Sequence, residues 1–146
     1  VNMNHVYVEA IVVNEQSLLL TEDVLEGDRR LPGGYVDSSE TSQDSLVRHV
    51  RESTGIDIEI QNLVCVYEHL IPEGGYGVTL LYKCDLKSSN RVEGAHWVHL
   101  SDVEDEWNDF IRIRQVFESV WDEHYASVVE EDDEHNRVFV HAKTGW

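Results

Sequence analysis

Lysine is scarce for a chain of this size. Only Lys83, Lys87 and Lys143 occur in 146 residues, beside eight Arg and 29 Asp+Glu, and the formal net charge is −18. A chain this acidic is repelled by polynucleotide backbones and by anionic membrane surfaces, which excludes generic nucleic-acid binding and a membrane partner. Long apolar runs are also missing, so no segment suffices to cross a bilayer as a helix. The opening residues Val1-Asn2-Met3-Asn4-His5 offer neither a basic nor an apolar region, and no signal peptide is expected. Cysteine is scarce too. Cys65 and Cys84 are the only two, and neither has a partner at CxxC or zinc-site spacing. Their flanks read as strand interior, so both are expected to be reduced core thiols of a cytoplasmic protein.

What is present argues for a folded domain. Hydrophobic residues make up 41% of the chain, with four Trp and six Tyr, which is incompatible with a disordered acidic tail. The length fits one domain over 1–146, with a core of about 5–125 and a C-terminal acidic segment, 126–146, that holds one extra strand candidate. The acidity is uneven. Residues 1–28 carry −6, residues 101–135 carry −11, and residues 29–56 hold four acids and four bases and sum to zero. Electrostatics oppose a phosphorylated ligand least in that neutral stretch.

The hydrophobic pattern gives the elements. Residues 5–13 and 18–21 read as strands around a turn at 14–17. Leu31-Pro32-Gly33-Gly34 is a loop of special backbone geometry. Residues 41–54 carry a helical stripe of Leu46, Val47 and Val50, with Ser/Thr caps before it and Gly55 as its stop. Strands are expected at 56–69, 76–86 and 92–100, an amphipathic helix at 107–124, and a further strand at 137–141. That last strand can pair with a second copy to make a homodimer. The acid run 130–134 lacks the spacing and central Gly of a calcium loop and reads as a solvated segment. The order predicts a mixed α/β domain with helices on both faces of a sheet.

One constellation in the neutral stretch carries chemistry. Gly34 is followed by Glu40, then Arg48, Val50, Glu52, Gly55 and Ile56. This resembles the Nudix (MutT-like) box, G-x5-E-x7-R-E-U-x-E-E-x-G-U with U apolar, in seven of nine specified positions. Two positions differ: His49 and Ser53 stand where the family has Glu. The resemblance implies an α/β/α sandwich with a mixed sheet between helices, and hydrolysis of a diphosphate bond with Mg²⁺ or Mn²⁺. Positions 49, 52 and 53 share one narrow helix face, where three carboxylates would make an oxygen-rich cation site. Here that face has one carboxylate, one imidazole and one hydroxyl.

The resemblance therefore implies Glu52 as the surviving ligand and catalytic acid, with the Gly33 carbonyl beside it. His49 is a candidate ligand better suited to Mn²⁺, or a general base. Ser53 can hold at most a metal-bound water. Glu93, four residues before Trp97, is the first candidate to replace the missing acids, with Glu68 second. Glu40 and Arg48 are implied to pair and brace the loop, with Gly34 and Gly55 structural. Arg29, Arg30 and Arg51 are candidate phosphate contacts, with charge balancing as the alternative. The substrate class implied is a nucleoside diphosphate linked to another group. Two other readings stand beside it: a nucleotide-binding or regulatory module with catalysis impaired, and an interaction protein working through 101–146. The excess acidity outside 29–56 reads as the solvation adaptation of a salt-loving (halophilic) source.

Overall fold

The computed structural model describes residues 5–22, 29–70, 74–89, 95–102, 126–131 and 137–142. The elements, in chain order, are β1 His5–Asn14, β2 Ser17–Glu22, β3 Arg29–Arg30, β4 Gly33–Tyr35 and α1 Ser42–Thr54. They continue as β5 Ile56–Leu70, β6 Tyr76–Ser89, β7 Ala95–His99, β8 Ala126–Glu131 and β9 Arg137–Ala142. The result is a mixed α/β fold. Among the described residues the strands run β3-β2-β1-β6-β5-β9-β8, with β4 also on β1 and β7 also on β2. Only β1 and β6 are parallel, from His5 beside Gly77 to Val12 beside Cys84. The other ladders are antiparallel.

The edge of β1 away from β6 is divided, and this positions the site. Its first half, Tyr7 to Glu9, pairs with β4, and its end, Val13 to Asn14, pairs with β2. Between them Ala10 N donates to the Pro32 carbonyl at 2.9 Å. The two-residue link to β2 puts Glu15 at φ 50° and Gln16 at φ 66°, the twist that suits a tight hairpin.

Alternation along β1 sends Val8, Ala10 and Val12 to one face, where they meet Leu46 and Val50 of α1, Ile56, Ile58, Tyr82 and Cys84. Leu46 and Val50 are fully buried, and each contributes about 2 kcal/mol by leaving water. The Cys84 thiol is buried, and that burial pushes its pKa up to about 12, as befits an inert core residue. Both ends of α1 are capped. The Thr41 side chain accepts from Asp44 N at 3.1 Å, and Gly55, at φ 72°, donates its N–H to the Arg51 carbonyl at 2.9 Å.

Four expectations are refined or fall outside the described residues. Within the acid run 130–134, Glu130 and Glu131 belong to β8, in register with Val138 and Arg137, and residues 132–134 lie outside the described residues. The 137–141 strand exists as β9, but its two edges are taken within the chain by β5 and β8. It therefore offers no free edge for a second copy. The amphipathic stretch 107–124 and Glu93 lie outside the described residues. No helix among the described residues is long and apolar enough to cross a membrane.

Candidate functional site

The site is built where β4 meets α1. Gly33 and Gly34 pair with Glu9 and Val8 of β1 so closely that side chains are excluded. A Cβ on Gly33 would sit 2.0 Å from the Val8 carbonyl oxygen. A Cβ on Gly34 would lie 2.5 Å from the His49 ring, which occupies that space. The glycines are thus required by close approach, of backbone in one case and of an imidazole in the other.

Arg48 organises the charges. Its Nε donates to both Glu40 oxygens at 3.0 Å, and its Nη2 donates to Glu40 Oε1 at 2.9 Å. Nη2 also reaches Asp37, and Nη1 donates to Glu52 Oε2 at 3.2 Å. Ser45 Oγ donates a further bond to Glu40 Oε1 at 3.2 Å. The Arg48 guanidinium, by these hydrogen bonds, holds the Glu40 carboxyl below its ordinary pKa, against a smaller opposing effect of burial. The Arg48 pKa is raised in turn, chiefly by Glu40. One guanidinium therefore ties the loop acid Asp37, the buttress Glu40 and the helix acid Glu52 into one network. Glu40 and Arg48 sit 24% and 33% exposed, whereas Glu52 is 62% exposed and presents its carboxylate outward.

His49 and Ser53 turn to backbone. His49 Nε2 donates to the Tyr35 carbonyl at 2.8 Å, so the ring links α1 to the last residue of β4. Arg48 Nη2 lies 3.4 Å from the same nitrogen, a contact between two donors in this arrangement. Ser53 Oγ donates to the His49 carbonyl at 2.8 Å, one turn back on its own helix.

The remaining candidates are dispersed. Arg51 Nε donates to Asp57 Oδ1 at 2.5 Å, at the far end of α1. Arg29 and Arg30 are exposed on β3, opposite Glu22 and Thr21 and just ahead of the glycine loop. Glu68 accepts from the Tyr76 hydroxyl at 2.5 Å across the β5–β6 hairpin, which raises the Tyr76 pKa. The structure thus brings together Gly33, Gly34, Glu40, Arg48, His49 and Glu52, and leaves Glu68 with Tyr76. Sequence reasoning missed Asp37, Ser45 and the Tyr35 carbonyl. Asp37 stands three residues before Glu40 in a polar loop, which is a faint signal. The Tyr35 carbonyl gives none.

The donor set can be tested against a divalent cation. No group of three His, Cys, Asp or Glu side chains among the described residues could hold a metal ion. Glu40 is occupied by Arg48, His49 by Tyr35 and Ser53 by its own helix, so of the two acids at specified box positions Glu52 is the outward one, and it too accepts a bond from Arg48. The described residues by themselves do not make a cation site.

Comparison with known proteins finds similar sequences and folds. Residues 3–120 match the family model of the NUDIX domain. The chain is 35% identical over 92 residues to a MutT-like protein of Streptomyces ambofaciens, a match covering 62% of this chain and 56% of that protein. It is 32% identical over 65 residues to an ADP-ribose pyrophosphatase of Methanocaldococcus jannaschii, covering 42% of this chain and 38% of that one. It therefore spans less than two thirds of the length of either relative. A NUDIX hydrolase from Nitrosomonas europaea superposes with a TM-score of 0.65 at 20% identity, over 79% of this chain and 86% of that one. At that identity the likeness is one of fold.

Proposed function

The chain belongs to the Nudix family, and from that premise we propose that it hydrolyses a diphosphate bond in a nucleoside diphosphate linked to another group. The observation that carries this reading is the Arg48 network, in which Glu40 and Asp37 brace the glycine loop while Glu52 stays outward at the same guanidinium. The neutral charge of 29–56 inside an acidic chain supports an anionic ligand there. The pyrophosphatase relative makes ADP-ribose the first substrate to try.

Nudix hydrolases generally need divalent cations, which neutralise charge on the diphosphate and supply an activated water. Glu52 is the ligand we assign within the box, with Glu93 as the acid that completes the set from outside the described residues. Mn²⁺ is favoured over Mg²⁺, because fewer carboxylates serve the harder ion poorly. Within the chain, Arg48 fixes the position of Glu52, and His49 holds the β4 backbone against α1. Arg29 and Arg30 are the arginines we assign to phosphate. Arg51 is the lesser candidate, being engaged with Asp57.

The test is turnover across ADP-ribose, nucleotide sugars, dinucleoside polyphosphates, nucleotide-derived coenzymes and nucleoside triphosphates, with each metal. We expect slow hydrolysis of one class, faster with Mn²⁺, and a loss of about a hundredfold or more in Glu52→Gln. Equal turnover in that variant overturns the role of Glu52. A second reading is favoured by a specific observation: His49 Nε2 and Ser53 Oγ, at two positions that are acids in the family, are both bonded to backbone carbonyls. On that reading the fold is a nucleotide-binding module. It is supported if calorimetry finds nucleotide affinity and prolonged incubation with either metal yields no product.

A further inference from the structure

Ser45, Arg48 and His49, spaced three and four residues apart on one face of α1, all reach the segment that links β4 to the helix. Ser45 Oγ accepts from the Asp37 N–H at 3.4 Å, and Arg48 Nη2 meets the Asp37 carboxylate. His49 reaches further back. Its Nε2–H is bonded to the Tyr35 carbonyl, a backbone atom of β4 itself. Strand β4 is three residues long and carries both glycines of the loop. Its ladder to β1 holds it in the sheet, and the imidazole is what ties that backbone to the helix.

The His49 ring is also fixed by shape. A Cβ at Gly34 would lie 2.5 Å from Cε1 and 2.6 Å from each of Nδ1 and Nε2. The ring edge that carries both nitrogens is therefore the edge turned to β4. Nε2 spends its proton on Tyr35, and Nδ1 lies as near the glycine as Nε2 does. A cation takes a bare imidazole nitrogen with open space before it. This ring is instead set as a strut between helix and strand.

The acceptor at Tyr35 decides what position 49 has to supply. A carbonyl takes a proton from a donor, or else a cation or water must stand before it. A carboxylate at 49 would set two acceptors face to face, and a cation between them would join them. Arg48 could not replace that cation, because both Nη2 protons go to Asp37 and Glu40. The imidazole supplies the proton directly. We propose that His49 is a positioning residue whose Nε2–H joins β4 to α1 in place of a cation, so that the glycine loop keeps its geometry with no cation bound. The use of that geometry rests on the diphosphate reading, whereas the tie itself does not. A cation at Glu52 then has the substrate to serve and no loop to shape.

The test is the melting temperature of wild type, His49→Gln, His49→Leu and His49→Glu, each in EDTA and in millimolar Mn²⁺. In EDTA, His49→Gln should melt within about 2 °C of wild type, since its amide N–H can stand where Nε2 does, while His49→Leu and His49→Glu fall by about 4 °C. Mn²⁺ should recover most of the loss in His49→Glu and none of that in His49→Leu, and should move wild type less than half as far as His49→Glu. Nitrogen NMR of the wild type in EDTA at alkaline pH should show the His49 ring protonated at Nε2 and bare at Nδ1. Four results overturn the proposal: His49→Leu melting with wild type, His49→Gln falling as far as His49→Leu, equal Mn²⁺ responses in wild type and His49→Glu, or a ring protonated at Nδ1. If His49→Glu does not fold, the glutamine and leucine variants still decide. Turnover of ADP-ribose by the wild type with Mn²⁺ tests the diphosphate reading separately. Melting as expected without turnover leaves the tie and removes its use in hydrolysis, and turnover with a His49→Leu that melts like wild type does the reverse.

Discussion

At the scale of single residues, the site depends on how one guanidinium divides its bonds. Arg48 gives three hydrogen bonds to Glu40 and one each to Asp37 and Glu52. This lowers the Glu40 pKa in the folded state, chiefly through the Arg48 hydrogen bonds. The sign follows from linkage: a depressed carboxyl contributes stability that is complete above the unfolded-state pKa and is lost as pH falls through the folded one. Melting temperatures of wild type and Glu40→Gln should thus differ most at neutral pH and converge as the medium is made acidic. A gap that stays constant across that range would remove Glu40 from the pH dependence. The pairing of Glu40 with Arg48 was implied by the resemblance to the Nudix box. The partners of His49 were not, because the acceptor is a backbone carbonyl fourteen residues back. Sequence specifies that carbonyl only through the path of β4.

At the scale of elements, helix α1 was readable because its signals are local. Thr41 and Gly55 mark its ends, and Leu46 and Val50 mark its buried stripe. Gly55 sits at φ 72°, where a β-carbon is strained. Gly55→Ala should cost about 1 kcal/mol, read as a lower urea midpoint at unchanged slope. An unchanged midpoint would mean that the cap tolerates a side chain. Strand β8 was less readable. Ala126-Ser127-Val128-Val129 is short, and Glu130-Glu131 resembles the start of a solvated acid run. Only pairing with β9, six residues on, makes it a strand. The long β5 matches the strand expected at 56–69 to within one residue, but its pairing with β6 runs through register shifts near Asp57, Ile60 and Leu63. Such irregularities let a strand continue where strict alternation fails, and the sequence does not announce them.

At the scale of the whole molecule, the one long stretch without net negative charge in a chain of −18 is residues 29–56. Self-repulsion of this size opposes compaction, and salt relieves it. The melting temperature should therefore rise between low and molar KCl, and a value indifferent to salt would argue against a halophilic adaptation. The mixed character of the sheet was implied by the family resemblance, yet the parallel joining of β1 to β6 was not expected, since nothing local to either strand encodes its partner. That joining also bears on the time course of folding. Strand β1 carries the glycine loop on one edge, and its other edge waits for residues about seventy positions further along the chain. Closing so long a loop comes before the contacts that reward it. During synthesis the half of β1 beside the box can settle early against β4, while its opposite edge stays open until β6 has left the ribosome. The strand that fixes the site is thus made well before the partner that encloses it.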